Sequence, residues 1–296
     1  MQCKIIDGSA IAAGIKDEIR DLTAALREQH RVLPGLAFLL VGDNAASQTY
    51  VRSKERACEY CGFHSSTVSM PSTATEEEIL ARIDNWNIDP DIHGILVQLP
   101  LPDHVDEDRV IEAISPLKDV DGFHPVNMGK LVIGLEAFHP CTPAGIQQLL
   151  LRSGVETMGK HVVVVGRSNI VGKPIANMLL QKAEGANAVV TVVHAAAPDI
   201  GVYTRQADIL IVATGRVNTV TADMVKDGVV VIDVGINRVT DDSVEKGYRI
   251  VGDVDFAGVS QKAAAITPVP RGVGPMTIAM LMQNTYQAAL RAVAGR

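Results

Sequence analysis

Ser47, Tyr50 and Lys54 fall at i, i+3 and i+7 of one predicted helix, so all three share a face near its N-terminal half. Gln98 ends the apolar run Ile92–Leu99 beside Pro100, where a polar side chain emerges at the carboxyl edge of a sheet. Asp119 and Asp121 follow Pro116 in the string Lys118-Asp119-Val120-Asp121-Gly122-Phe123-His124-Pro125. An amine, an amide and a carboxylate are the groups used for proton transfer and its support. A lone Tyr-x-x-x-Lys is equally an exposed helix face, and these residues become a site only if Gln98 and a loop aspartate meet them in space. A second candidate is Gly166-Arg167-Ser168-Asn169-Ile170-Val171-Gly172-Lys173-Pro174, set between an apolar run and a helical pattern, where amide N–H groups can face a phosphate. It departs from the dinucleotide fingerprint at Ser168 and Val171. It is one residue too long for a Walker A loop, and Pro174 stands where the magnesium-binding hydroxyl belongs. Taken alone, it reads as a nucleotide turn or as a glycine-containing structural turn.

The elements that must position these residues alternate. Leu36–Val41 reads as a buried strand, and Ala45–Tyr60 as a helix stopped by Gly62. Phe63–Met70 is β-rich, a helix opens at Thr75 with three glutamates in its first turn, and Ile92–Leu99 is a further strand. The β-α-β-α-β order predicts a mainly parallel sheet covered by helices. After Pro140 the pattern restarts. Thr142-Pro143 reads as an N-cap and first helical position, with a helix to about Arg152. Val162–Val165, Ala188–Val193, Ile209–Ala213 and Val229–Val234 read as strands, the first buried on both faces. A Met-, Leu- and Ala-rich helix runs from Pro275. The fold class is therefore α/β, in two α/β domains.

Length and composition agree and exclude other classes. The 296 residues, 47% hydrophobic and 21% charged, suit about two globular domains with real cores. A net charge of −7, with only 4% aromatic residues and one Trp, lacks the footprint of a nucleic-acid binder. No apolar run approaches the ~18 residues of a spanning helix. The opening MQCKIIDGSA has no basic stretch followed by an apolar core, so no secretory signal is expected. Four cysteines make no disulfide framework. Cys58 and Cys61 form a CxxC without a second ligand pair, so no metal is expected. The expected compartment is the cytoplasm.

Seven strings, in order, resemble the bifunctional methylenetetrahydrofolate dehydrogenase/methenyltetrahydrofolate cyclohydrolase family. They are Gly42…Ala46-Ser47-Gln48-Thr49-Tyr50-Val51-Arg52-Ser53-Lys54, Gly94–Pro102, Lys118–Pro125, Pro140–Gly145, Gly166–Pro174, Val231–Asn237 and Thr267–Thr277. The resemblance covers nearly the whole chain. It implies a folate-binding catalytic domain over residues 1–140 plus 275–296, and an NADP-binding Rossmann-type domain over 141–274, with a cleft between them. The implied activity, in one-carbon metabolism, is oxidation of 5,10-methylenetetrahydrofolate to the methenyl cation with NADP, then hydrolysis to 10-formyltetrahydrofolate.

The resemblance also assigns roles. Lys54 becomes the proton-transfer group of hydrolysis and Gln98 its hydrogen-bond partner. Tyr50 lies against the substrate's ring system, Asp121 accepts from pterin N–H groups, and Ser47 supports them. Val51, Arg52, Ser53, Val97 and Leu99 line the same substrate site. Pro270, Arg271, Gly272, Val273, Gly274, Pro275, Met276, Thr277 and Ile278 form a loop closing over substrate. Gly166, Arg167 and Ser168 hold the nucleotide phosphates and Ile232 lies against the nicotinamide half. A homodimer joined through the nucleotide domain is implied as well.

NADP is favoured over NAD on two grounds. The Arg167 guanidinium suits a 2′-phosphate, and the second strand of the domain ends in Val193-His194-Ala195-Ala196-Ala197 with no acid before Asp199 to take ribose hydroxyls. NAD stays open, because Ala195 replaces a serine usual in relatives and removes a phosphate donor. Arg271, where relatives usually have Gly, either meets the folate's glutamate tail or points to solvent. A short-chain dehydrogenase also pairs Tyr with Lys, but its nucleotide loop comes first in the chain, the reverse of the order here. A dehydrogenase with impaired cyclohydrolase, or a non-catalytic NADP- or folate-binding regulator, are the remaining alternatives. Retention of Lys54 and Asp121 argues against the regulator.

Overall fold

The computed structural model describes residues 2–244 and 246–295. The chain divides into two units, one of residues 13–141 with those from 278 onward, the other of residues up to 12 with 142–277. In chain order the elements begin with β1 (Lys4–Ile5) and α1 (Gly8–His30). There follow β2 (Gly35–Val41), α2 (Ala45–Cys61), β3 (His64–Met70), α3 (Glu76–Ile88), β4 (Gly94–Val97), α4 (Glu107–Ala113) and α5 (Pro125–Val132).

The first unit is built on the parallel sheet β3-β2-β4. Every residue of central β2 is buried, as an unbroken apolar run without polar alternation requires. Leu39, Val41, Ile79, Ile83, Trp86 and Ile95 form the heart of one core between sheet and helices. The first turn of α3 is closed by a capping box. The Glu78 N–H donates to Thr75 Oγ1 at 3.3 Å and the Thr75 N–H to Glu78 Oε2 at 2.9 Å, a device worth about 1 kcal/mol.

The second unit contains α6 (Cys141–Arg152), β5 (His161–Val165), α7 (Gly172–Leu180), β6 (Val189–Val193), α8 (Gly201–Thr204), β7 (Ile209–Val212) and β8 (Val230–Asp233). It continues through β9 (Asn237–Thr240), β10 (Tyr248–Val251), α9 (Phe256–Val259), β11 (Ala265–Ile266) and the start of α10 (Val273–Ala294). Its sheet is six-stranded and parallel throughout, in the order β1-β11-β8-β7-β5-β6. β9 and β10 form a separate antiparallel pair.

Three expectations are corrected. The first residues join the second unit, not residues 13–140, because β1 pairs with β11 through Lys4↔Ala265 and Ile5↔Ile266. A two-residue strand carries no periodicity to announce itself. Thr142 is not an N-cap: α6 already begins at Cys141, and the Thr142 hydroxyl meets that of Thr277 at 2.9 Å. Residues 273–278 are not loop but the opening of α10, which starts two residues before Pro275.

Candidate active site

The first unit collects the residues picked out for chemistry. On α2, Asn44 Oδ1 accepts the Ser47 N–H at 3.1 Å, closing the first turn and fixing where the helix face begins. Ser47 and Val51 are buried beneath that face, whereas Tyr50 is 48% exposed and Arg52 points to solvent. Ser53 bonds back to the Thr49 carbonyl at 2.9 Å. Lys54 is half-buried, and its Nζ donates to Gln98 Oε1 at 3.1 Å. Gln98 follows directly on β4. Its backbone N–H continues the ladder to the Leu39 carbonyl at 2.9 Å, and its Nε2 donates to the Leu99 carbonyl at 2.8 Å. With the amide nitrogen engaged there, the amide oxygen is left facing the lysine. Val97 is buried in the strand and Leu99 half-buried beyond it.

The Asp121 loop is held by its neighbour. Asp119 Oδ1 accepts the N–H groups of Gly122 (3.1 Å) and Phe123 (3.2 Å), and Oδ2 accepts those of His124 (2.9 Å) and the Asn127 amide (2.8 Å). Asp119 is itself buried, and Ile95 donates to the Lys118 carbonyl at 2.8 Å, so the loop is laid along β4. Asp121 is thereby free of this structural duty. Burial raises its carboxyl above the ordinary pKa, the nearby Lys54 ammonium opposing that shift and Asp119 reinforcing it, while a hydrogen bond with Cys141 favours the charged form. Amine, amide, carboxylate and exposed aromatic ring therefore lie in one unit, able to move a proton and to receive a flat, donor-bearing ligand.

In the second unit the Gly166–Gly172 turn connects β5 to α7. Gly166 has a φ of +129°, and a Cβ there would stand 2.2 Å from the Ala213 carbonyl oxygen. A Cβ on Gly172 would meet the Gly166 carbonyl oxygen at 2.3 Å, so both ends of the turn require glycine. Ser168 Oγ accepts the N–H groups of Val171 (3.2 Å) and Gly172 (3.4 Å), which closes the turn ahead of the helix. Arg167 and Ser168 are exposed. Such a turn, tight at both glycines and opening a helix, fits a dinucleotide's phosphates on backbone grounds even without the full glycine fingerprint. Beyond β6, the first acid is Asp199, and it is engaged by the Gly201 N–H (2.7 Å) and by Arg205 (3.3 Å). Ala195, two residues past the end of β6, is exposed.

Other predicted residues are placed differently. The Ile232 side chain is buried in β8, one residue before the strand's carboxyl end. Gly272, Val273 and Met276 are buried; Pro270, Arg271 and Gly274 are exposed, and Pro275, Thr277 and Ile278 are intermediate. Pro270 through Thr277 belong to the second unit, whereas Tyr50, Lys54, Gln98 and Asp121 belong to the first. Arg271 does not stand free: its guanidinium pairs with Asp7 at 2.5 Å.

Sequence reasoning missed a buried acid pair at the carboxyl edge of this sheet. Asp233 accepts the N–H groups of Gly235, Asp253 (both 2.9 Å) and Val254 (3.0 Å). Asp253 in turn accepts those of Thr214 (2.6 Å) and Gly215 (2.9 Å), and the Asn237 amide at 2.8 Å. Together they tie the segments after β7, β8 and β10. Burial pushes the Asp233 carboxyl up to about 6, against the pull of its three N–H donors. Acids inside the strings Val231–Asn237 and Val251–Val254 were the available signal. Among the described residues, no group of three His, Cys, Asp or Glu side chains could hold a metal ion.

Fold and sites together define an α/β protein with a nucleotide-type glycine turn in one unit and a Lys-Gln-Asp cluster in the other. The chain belongs to the tetrahydrofolate dehydrogenase/cyclohydrolase family: the family's catalytic domain matches residues 6–121 and its NAD(P)-binding domain residues 140–293. A relative named bifunctional protein FolD, from Syntrophus aciditrophicus, is 59% identical over 98% of both chains. The bifunctional FolD methylenetetrahydrofolate dehydrogenase/cyclohydrolase from Campylobacter jejuni is 51% identical and superposes with a TM-score of 0.92, covering 98% of this chain and 99% of that one. The Trypanosoma brucei dehydrogenase-cyclohydrolase, solved with NADP cofactor and inhibitor, is 41% identical with a TM-score of 0.93 over 99% of each chain.

Proposed function

We propose that this chain oxidises 5,10-methylenetetrahydrofolate to the 5,10-methenyl cation with NADP, then hydrolyses that cation to 10-formyltetrahydrofolate. The observation that carries the reading is the Lys54–Gln98 hydrogen bond in the unit that also holds Tyr50 and Asp121. Asp121 accepts from the pterin's N–H edge, and Tyr50 offers its exposed ring to the folded face of the substrate. The nicotinamide, when bound, takes the hydride that leaves the bridging carbon with its electron pair. That step calls for no proton, so Lys54 has no part in it beyond position.

Hydrolysis does need one. Water adds to the bridging carbon as Lys54, as the neutral amine, takes a proton from it. The adduct's hydroxyl then gives up its proton as the formyl C=O forms, and the carbon's bond to N5 breaks with a proton delivered to N5. The formyl group stays on N10, and the net balance is one water consumed and one proton released. Gln98 keeps the amine aimed at that carbon, which is a positional contribution. Val51, Arg52, Ser53, Val97 and Leu99 contribute further substrate contacts in the first unit, and the Pro270–Ile278 string carries a substrate-binding role by its resemblance to the family's. Ser47 supports them from below.

For the nucleotide, Gly166, Arg167 and Ser168 hold the phosphates, and the Arg167 guanidinium reads the 2′-phosphate. The end of β6 supports NADP, since no acid stands between Val193 and Asp199 to take ribose hydroxyls. The protein works as a homodimer joined through this unit. β6 is an edge strand paired only with β5, and Val189 and Val192 on it are 61% and 43% exposed. Its compartment is the cytoplasm, in keeping with four free cysteines of which three are buried.

The test is direct. Add 5,10-methylenetetrahydrofolate with NADP, or with NAD, and follow the methenyl absorbance as it rises and decays. Rise and decay with NADP support both activities; a rise without decay leaves a dehydrogenase alone, and no rise overturns the reading.

A further inference from the structure

Asp121 is gripped from two sides, and only one of them is local. On the C-terminal side, Asp119 collects the N–H groups of Gly122, Phe123 and His124. On the N-terminal side the grip comes from α10, more than a hundred residues away in sequence. Asn284 Nδ2 donates to the Val120 carbonyl at 2.8 Å and to the His139 carbonyl at 3.0 Å, which uses both hydrogens of the amide. The same nitrogen lies 3.7 Å from Cys141 Sγ, and that thiol lies 3.4 Å from the Val120 carbonyl.

The two segments joined in this way are in close contact. A Cβ on Gly122 would meet the His139 carbonyl carbon and the Pro140 nitrogen at 2.6 Å. Residues 120–122 and 139–141 therefore run together, with Asp121 between a carbonyl held by Asn284 and an amide held by Asp119. Burial and the charge of Asp121 push the Cys141 thiol well above its ordinary pKa, so it remains an S–H donor within the same cluster.

From this geometry we infer that Asn284 is a positioning residue for Asp121, fixing the direction in which that carboxylate meets the folate. The inference rests on the reading of Asp121 as the pterin anchor. Asn284 touches no reacting atom; it acts through the Val120 and His139 carbonyls. Loss of one well-placed, half-buried donor corresponds to roughly a tenfold change in an affinity that depends on it.

A double-mutant cycle separates positioning from general support. Titrate tetrahydrofolate into wild type, Asn284→Ala, Asp121→Asn and the double variant, and measure NADP affinity and thermal unfolding on the same samples. Asn284→Ala is expected to weaken tetrahydrofolate binding about tenfold and leave NADP affinity within twofold. In the Asp121→Asn background the same change is expected to cost less than twofold. A tenfold loss that persists in that background, or no loss with Asp121 intact, overturns the inference. Should Asn284→Ala not fold, Asn284→Ser takes its place in the cycle under the same criteria. If Asp121→Asn alone leaves tetrahydrofolate binding unchanged, the anchor reading falls first, visibly and without reference to Asn284.

Discussion

Arg271 occupies backbone that suits glycine, with φ at +85°. A side chain there costs about 1 kcal/mol or more, and the Arg271–Asp7 pair offsets part of it. Asp7 is itself lowered in pKa, first by the Ala10 N–H and also by Arg271. This answers the two alternatives left by the sequence: the guanidinium is committed to Asp7. Arg271→Gly is expected to be more stable than Arg271→Ala by about 1 kcal/mol, read from urea unfolding, because both lose the pair and only alanine keeps the strain. Equal stabilities would mean that the conformation carries no strain. At the nucleotide turn, Arg167→Ala should raise the KM for NADP far more than that for NAD. Ala195→Ser should improve kcat/KM for NADP by about five- to thirtyfold, the equivalent of roughly 1–2 kcal/mol, with little effect on NAD. Equal losses for both nucleotides in Arg167→Ala would remove that residue from 2′-phosphate recognition.

Strands buried on both faces were plain in the sequence, since Leu36–Val41 and Val162–Val165 are unbroken apolar runs and needed no context. The Thr75 capping box and the Gly62 stop were equally local signals, Gly62 now standing at a φ of +75°. What escaped was the structure made by pairing at a distance: β1 against β11, the β9–β10 hairpin, and the acid pair behind the sheet edge. Asp233 also gives this edge a pH dependence. Its carboxyl holds a proton up to about pH 6 when folded, against 3.8 when free, so between those values the native state binds more protons. The contribution therefore favours the fold below pH 4 and is lost as pH rises through 6, about 3 kcal/mol in all. Asp233→Asn cannot titrate. The unfolding free energy of wild type minus that of Asp233→Asn should fall between pH 4 and 6 and be flat above 7. A difference that is flat throughout would mean that Asp233 titrates normally.

Over the whole chain, family and fold were legible because seven motif strings keep their order, each tied to a turn or strand end that the backbone needs. The site was legible in part. Tyr50 and Lys54 announce themselves by helical spacing, but their partner Gln98 is 44 residues from Lys54, and only the β2–β4 pairing brings it there. Asp119, beside Asp121 in the sequence, proves to be the loop's internal clamp, a distinction that no spacing rule draws. Ile232 and Met276 owe their proposed ligand roles to the strings that contain them, and both side chains are buried, as apolar residues of a strand and a helix are. Among the described residues, no helix is long and apolar enough to cross a membrane.

One cluster in the first unit moves a proton for hydrolysis and none for oxidation. Lys54→Gln tests it, with cyclohydrolase turnover measured on the preformed methenyl compound, and NADP affinity measured on the same preparation. Glutamine keeps length and polarity but cannot accept the water's proton, so hydrolysis should fall by a factor on the order of 10² or more. NADP binding should be unchanged, as the Gly166–Gly172 turn lies in the other unit. Cyclohydrolase turnover near that of wild type would contradict the claim and take Lys54 out of the chemistry.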